Sequence, residues 1–326
     1  MDLDVVFLGT SGATPTAQRA PAATLIRRGG DRLLIDCAEG TQRQLLRCDI
    51  GLLELREVFF THYHADHYLG LPGMLKTYSL RGRELPLTIY GPPGLRSLLT
   101  ALRRIFGRLT YPLDTVELEA GSTLTRDGYE LRTFEVNHGV SAVGYRLIEH
   151  ERPGRFDVEA ARALGVPDGP ERGALQRGEP VTLADGTRVR PEQVVGPERP
   201  GRKVVLTGDT APAASVVEAA LGADLLVHEA TFLADERDRA RETLHSTAGE
   251  AALAAREAGV RMLALTHLST RYFGHEVVEE ARELFEETVV PRDFDVVELP
   301  FPERGEPELV RDGARRREAA VTSDES

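Results

Sequence analysis

The chain has 326 residues, 41% of them hydrophobic, which suits one large α/β domain with insertions and excludes wholesale disorder. Its 40 basic and 52 acidic residues leave a net charge of −12, which taken alone argues against general nucleic-acid binding. No apolar stretch approaches the roughly 20 residues that cross a bilayer, the acidic start Met1-Asp2-Leu3-Asp4 does not suit a secretory signal, and two cysteines (Cys37 and Cys48) with no CxxC exclude a disulfide scaffold and suit a reducing cytoplasm.

Residues 4–8 form a short apolar run stopped by Gly9, read as a buried strand, and residues 9–16 are small and polar, read as a loop. A second strand covers 32–36 and ends in an acid, Asp36; a helix follows over 40–47. The strand 58–61 delivers the chain into a histidine cluster. Helices are expected over 69–80 and Leu95–Phe106, with a strand over 87–90 between them that Gly91-Pro92-Pro93 ends. Strands over 131–136 and 142–148 flank Asn137-His138-Gly139.

Residues 150–202 differ. Seven prolines and many glycines leave little periodicity beyond a short helix over 158–164. The segment is too long for an ordinary connection and is read as a protruding insertion. It is nearly neutral, with ten basic residues against nine acids over 151–203. The α/β rhythm then returns: strand 204–207, helix 213–221, strand 224–227, helix 247–258, strand 262–266 and helix 277–287. The expected organisation is a catalytic domain over 1–302, interrupted by the arm 150–202, and a charged, flexible tail over 303–326. Lysine occurs only at Lys76 and Lys203, and this acidic, arginine-rich composition fits work in high salt or a GC-rich genome.

The densest chemical signal is Thr61-His62-Tyr63-His64-Ala65-Asp66-His67, directly after an apolar strand. In an extended segment residues i and i+2 share a face, so His62 and His64 can meet one ion. A turn at Ala65 lets Asp66 and His67 point at a neighbouring position. Imidazole with carboxylate suits Zn²⁺. His138, Asp209 and His267 each stand just past the end of an expected strand, where open α/β sheets gather their sites. Together these seven residues suffice for two ions with an acid bridging. A solvated His-rich turn is the plain alternative for the cluster, and hydrogen-bonded surface or core residues for the later three. His150 and His275 have no motif around them and read as surface residues, Tyr63 and Tyr68 as packing, Cys37 as an apolar filler.

His-x-His-x-Asp-His with distant His, Asp and His resembles the metallo-β-lactamase superfamily. Further segments resemble one family within it, ribonuclease Z, the tRNA 3′-processing endonucleases. These are Phe7-Leu8-Gly9-Thr10-Ser11-Gly12-Ala13-Thr14-Pro15-Thr16, Asp36-Cys37-Ala38-Glu39-Gly40-Thr41-Gln42-Arg43-Gln44 (the family more often has glycine at Ala38), His228-Glu229-Ala230-Thr231-Phe232, His245-Ser246-Thr247, Gly165-Val166-Pro167-Asp168-Gly169-Pro170 and Pro200-Gly201-Arg202-Lys203. The resemblance spans roughly residues 3–300.

It implies an αββα sandwich of two mixed β-sheets with flanking helices and a protruding arm. It implies two Zn²⁺ per subunit, with Mn²⁺ or Fe²⁺ fitting the same ligands. His62, His64 and His138 would hold one ion and Asp66, His67 and His267 the other, with Asp209 bridging. Asp66 would also orient or deprotonate the nucleophile, and His245, backed by Glu229, would protonate the leaving oxygen. The plain readings of these two are a helix N-terminal acid for Glu229 and an N-cap partner for His245. The resemblance makes the arm an RNA clamp through Gly165, Pro167, Gly169 and Pro170, with Arg172 and Arg177 as substrate-binding cations. It implies precursor tRNA as partner, a homodimer in which one arm serves the other subunit's site, and no membrane or nucleotide cofactor. A small-molecule phosphodiesterase, lactonase or thioesterase on the same fold, and a non-catalytic RNA-binding subunit, are the rivals.

Overall fold

The computed structural model describes residues 1–52 and 55–314. The first half of the chain runs β1 (Leu3–Gly9), β2 (Ala23–Arg28), β3 (Asp31–Ile35), α1 (Thr41–Arg47), β4 (Glu57–Phe59), α2 (Ala65–Tyr68), α3 (Leu71–Leu80), β5 (Leu87–Gly91), α4 (Leu95–Phe106) and β6 (Leu113–Glu117). The second runs β7 (Thr123–Arg126), β8 (Tyr129–Glu135) and β9 (Val143–Glu149). The arm then carries α5 (Val158–Ala163), α6 (Pro170–Gln176), β10 (Val181–Thr182) and β11 (Arg188–Val189). After it come β12 (Lys203–Leu206), α7 (Ala214–Ala220), β13 (Leu225–Glu229), α8 (Arg237–Thr243), α9 (Ala248–Ala258), β14 (Leu263–Thr266), α10 (Gly274–Arg282) and β15 (Thr288–Val289), and β16 (Val296–Glu298) and β17 (Glu308–Val310) close the described chain.

The strands form two large mixed sheets. One has eight strands in the order β17-β16-β1-β2-β3-β4-β5-β6, the other seven in the order β15-β14-β13-β12-β9-β8-β7. Alternation along a strand explains the layering. Val5 and Phe7 of β1 enter the core between the sheets, with Phe59, Tyr145, Leu147, Val204 and Val227. Val6 and Leu8 face the other way, onto Leu45, Met74, Leu75 and Leu95 of α1, α3 and α4. On the second sheet Val205 and Leu226 pack under Val216, Ala251, Ala255 and Val277 of α7, α9 and α10. The central strands are covered on both faces, which is why they read as continuous apolar runs. This is the αββα sandwich expected from the sequence.

Several boundaries shift. The helix expected over 69–80 starts two residues later, as α3 with Pro72 in its first turn, and a short helix not expected there, α2, precedes it and is capped at Leu69. The last helix spans Gly274–Arg282 rather than 277–287: Glu276 Oε2 accepts the Phe273 amide at 2.6 Å at its start, and the Ala281 carbonyl takes the Leu284 and Phe285 amides at its end. β2, β6, β7, β16 and β17 lie in stretches read without strands. The flexible tail is corrected for residues 303–314: β17 pairs antiparallel with β16, and Ala314 is buried, its amide donating to Phe294. Residues 315–326 lie outside the described residues.

The arm is more regular than its prolines suggest. α5, α6 and the β10–β11 hairpin enclose a small core of Ala161, Val166, Leu175, Val189 and Val194. Its root is closed by a two-residue bridge, Arg152 with Arg199, and both arginines reach Glu303 at 2.9 Å. Beneath it Glu149 pairs with Arg202 at 2.7 Å and with Arg28 at 2.9 Å, all three buried.

Candidate metal centre

β12, β13 and β14 are mutually parallel, so the residues that follow them emerge at one edge of the second sheet. The antiparallel pairs β8–β9 and β9–β12 make β8 parallel to β12, and His138 follows β8 at that same edge. β4 of the first sheet delivers His62 and His64 to it. The structure therefore gathers seven residues spread from 62 to 267, in two groups, His62, His64, His138 and Asp209, and Asp66, His67 and His267; Asp209 and His267 also meet His245 in a third.

Asp209 Oδ2 joins the groups. It lies 3.7 Å from His62 Nε2 and from His138 Nε2, and 3.4 Å from His67 Nε2 and from His267 Nε2. His64 Nδ1 is 3.1 Å from both His62 Nε2 and His138 Nε2, and Asp66 Oδ2 is 3.2 Å from His267 Nε2. Ligands about 2.0–2.1 Å from a tetrahedral ion stand roughly 3.4 Å apart, so these spacings fit zinc-sized ions. The donor set agrees: His67 Nε2 and Asp209 Oδ1 are buried and make no hydrogen bond of accepted geometry among the described residues.

The outer nitrogens of four imidazoles are committed elsewhere, which leaves each Nε2 with its lone pair facing the centre. His62 Nδ1 donates to Thr61 Oγ1 at 3.1 Å, His67 Nδ1 to Asp36 Oδ2 at 2.8 Å, His138 Nδ1 to the Leu244 carbonyl at 3.0 Å and His267 Nδ1 to Thr231 Oγ1 at 2.9 Å. Asp36 is itself fixed, accepting the Thr61 amide at 2.8 Å and hydroxyl at 2.9 Å from a left-handed backbone (φ 60°). The opening loop also contributes: the Ala13 amide donates to Asp66 Oδ2 at 2.9 Å. Gly12 lies against His267 so closely that a Cβ there would meet its carbonyl oxygen at 2.6 Å, and a Cβ at Gly208 would meet Thr61 Cβ at 2.7 Å. Asp36, Thr61 and Thr231 were not among the expected site residues. Only Asp36, an acid ending a strand, carries a local signal.

Glu229 ends β13 and is no helix N-terminal acid; it accepts from the Thr210 amide at 2.8 Å, the Thr231 hydroxyl at 2.5 Å and His245 Nδ1 at 2.7 Å. The N-cap of α9 is Thr247, whose hydroxyl accepts the Glu250 amide at 3.1 Å, so capping does not employ His245. Instead His245 Nδ1 stands 4.0 Å from Asp209 Oδ2, beside the cluster. Burial opposes its charge, but the Glu229 carboxylate outweighs burial and its pKa is pushed up to about 9. Asp66 goes the other way: burial raises it, but the neighbouring His267 and His67 imidazoles hold it well below the usual carboxylate range.

A family model described as "Anti-Pycsar protein Apyc1" matches residues 3–144, less than half of the chain. Ribonuclease Z of Myxococcus xanthus is 49% identical over 303 residues, covering 92% of this chain and 98% of the relative. The chain belongs to the ribonuclease Z family. The ribonuclease Z of Methanosarcina acetivorans is 45% identical over 302 residues, with 92% and 99% covered. Among solved structures, the short form of human tRNase Z aligns with a TM-score of 0.65 at 26% identity, over 91% of this chain and 99% of that one. The metallo-β-lactamase fold protein YhfI of Bacillus subtilis aligns at 0.68 and 22% identity, over 91% and 100%. The enzyme thus shares both the fold and the sequence family that its motifs resemble.

The arm residues take no part in the cluster of this ribonuclease Z family member. Gly165, Pro167, Gly169 and Pro170 form the turn between α5 and α6, with Pro170 opening α6. Arg172 holds that turn from inside: it is partly buried, pairs with Asp168 and donates to the Val166 carbonyl at 3.2 Å. Arg177 is exposed and stands 3.3 Å from Glu179. His150 and His275 are exposed and away from the cluster, as expected, and Cys37 and Cys48 are buried. No helix among the described residues is long and apolar enough to cross a membrane.

Proposed function

We propose that the protein is a zinc-dependent endoribonuclease that removes the 3′ trailer from tRNA precursors after the discriminator nucleotide, leaving a tRNA 3′-hydroxyl and a trailer 5′-phosphate. The observation that carries this reading is Asp209 Oδ2, within 3.7 Å of imidazoles from both groups, in a chain of this family. His62, His64 and His138 would hold one zinc ion and Asp66, His67 and His267 the second, with Asp209 between them. Two zinc ions held there would supply a hydroxide at neutral pH and offset charge on the phosphoryl group.

Asp66, held ionised beside His67 and His267, orients the attacking oxygen. The new bond forms between that oxygen and phosphorus, and the bond from phosphorus to the discriminator's 3′ oxygen breaks. His245 gives its proton to that departing oxygen, and Glu229 steadies the charged imidazole until then. Thr231 and Asp36 keep His267 and His67 aimed inward. The Gly165–Pro170 turn, Arg172 and Arg177 belong to the arm, which by its family resemblance grips the tRNA elbow by backbone shape. The same reading has the enzyme work as a homodimer in the cytoplasm, each arm serving its partner's site. The arm is accordingly an insertion in a catalytic domain whose described part runs through β17 to Ala314. Incubating the protein with a labelled 3′-extended tRNA precursor, with and without chelator, tests this: one cut after the discriminator, abolished by chelator and restored by Zn²⁺, is expected. A chelator-resistant cut, or none, overturns it.

A further inference from the structure

An acidic enzyme acting on RNA must collect positive charge locally, because phosphate contacts dominate affinity. The arm collects little of it. Five of its arginines are paired, Arg162 with Glu159, Arg172 with Asp168, Arg177 with Glu179, and both Arg152 and Arg199 with Glu303, while Arg155, Arg188 and Arg190 are exposed with no carboxylate within salt-bridge distance among the described residues.

The charge gathers elsewhere. Residues 67–113, which cover α3 and α4, hold seven of the chain's basic residues and a single acid, Glu84. Lys76, Arg81, Arg103, Arg104 and Arg108 are exposed, and none has a carboxylate within salt-bridge distance among the described residues. α4 contains no acid, though Glu117 pairs with Arg96 at 3.8 Å at its start, and the cleft of about 580 Å³ along it is lined by Arg96 and by the unpaired Arg103 and Arg108 over an apolar floor of Leu99, Phe106 and Tyr111. α3 begins four residues after His67, is about 15 Å long and packs against α4, so the chain passes directly from the metal centre into this face.

We propose that this α3–α4 face is the phosphate-backbone docking surface for the RNA duplex that carries the scissile end. The proposal rests on the ribonuclease reading above and names the surface that reading lacks. Charge complementarity selects the occupant: a polyanion fits a face with unpaired arginines, whereas a second copy of the same face would bring like charges together.

The test compares wild type with the triple variant Arg103→Gln, Arg104→Gln, Arg108→Gln and with the charge-preserving Arg→Lys triple. Binding of a 3′-extended tRNA precursor is measured against salt concentration, with kcat and KM of cleavage, thermal midpoint and oligomeric state. Lost phosphate contacts should lower the slope of log affinity against log salt by about two to three and raise KM about tenfold or more, with kcat held. The Lys triple should keep most of the slope. Arginines that only serve the C-terminal end of α4 would change the thermal midpoint alone, and that outcome overturns the proposal. A changed oligomeric state with an unchanged salt slope overturns it too, assigning the face to a second copy. Wild type that cleaves while the Gln triple behaves identically sinks the surface and leaves the ribonuclease reading standing. Wild type that neither binds nor cleaves the precursor sinks both.

Discussion

His245 Nδ1 donates to Glu229 Oε1 at 2.7 Å, and Glu229 is buried, with its two oxygens also taking the Thr210 amide and the Thr231 hydroxyl. The pair therefore keeps a proton on an imidazole that burial alone would discharge. The folded pKa, about 9, lies above the ordinary value of 6.5, so the charged form persists through neutral pH and is lost as pH rises through the folded value. Glu229→Gln removes the negative partner and should move the basic limb of kcat to lower pH. His245→Ala should lower kcat by about 10²–10⁴-fold with KM little changed. A pH–rate profile reads both, and an unmoved basic limb in the Gln variant would remove Glu229 from the proton-holding role.

Asp209 Oδ2 lies within 3.7 Å of imidazoles from both groups. Removing its side chain should cost binding at both positions, whereas His64→Ala should weaken one. We expect Asp209→Ala to carry less than about one metal per chain by elemental analysis and to lose roughly 10³-fold or more in cleavage rate. Full metal content in that variant would contradict a bridging carboxylate.

The inner residues of this centre were legible in the sequence because metal chemistry restricts them to a few residue types and because His62 to His67 are packed into one short run. His138, Asp209 and His267 were legible from a weaker cue, a ligand-type residue just past an apolar strand. The residues that aim them were not. Thr231 is an ordinary threonine until β13 and β14 bring its hydroxyl to His267, and Thr61 matters only once Asp36 arrives from β3. The same holds for the arm: its prolines and glycines hide a core made by Ala161, Leu175 and Val189, which meet only after the segment folds back on itself. β17 was read as a charged tail because the exposed Glu308 of this edge strand outweighs the short apolar run Leu309-Val310.

Gly12 tests how tightly the opening loop backs the centre. A Cβ there would stand 2.6 Å from the His267 carbonyl oxygen and 2.8 Å from its Nδ1, the nitrogen that donates to Thr231. Gly12→Ala should therefore cost about 1–3 kcal/mol of stability. It should also lower metal affinity by tilting the His267 ring. Titration with a fluorescent zinc chelator reads the second effect; unchanged affinity would show that the loop, not His267, gives way.

Glu149 joins two buried arginines, Arg28 and Arg202, and Arg202 also donates to the Leu299 and Met1 carbonyls. Glu149→Ala leaves both guanidiniums uncompensated and should cost about 3–5 kcal/mol. Burial raises the Glu149 carboxyl, but the hydrogen bonds and charge of Arg202 outweigh it and the pKa falls below the usual value of 4.5. A depressed acid contributes its stability above the unfolded pKa and loses it as pH falls through the folded one. Wild type should thus lose stability below about pH 4.5, and the Ala variant should show a shallower acid slope in denaturant titrations. Equal slopes would mean the acid sensitivity lies elsewhere.

The arm has its own core and a root closed by Arg152, Arg199 and Glu303, so it can be cut above that root without opening the sandwich. Deleting residues 155–195 and joining the ends removes α5, α6 and the β10–β11 hairpin while leaving β9, β12 and the Glu149–Arg202 pair in place. If the arm serves substrate capture and takes no part in bond breaking, KM for a tRNA precursor should rise at least about tenfold, and turnover of a small chromogenic phosphodiester should stay within about twofold of wild type. Parallel loss of both activities, with an unchanged thermal midpoint, would assign the arm to the chemistry at the metal centre.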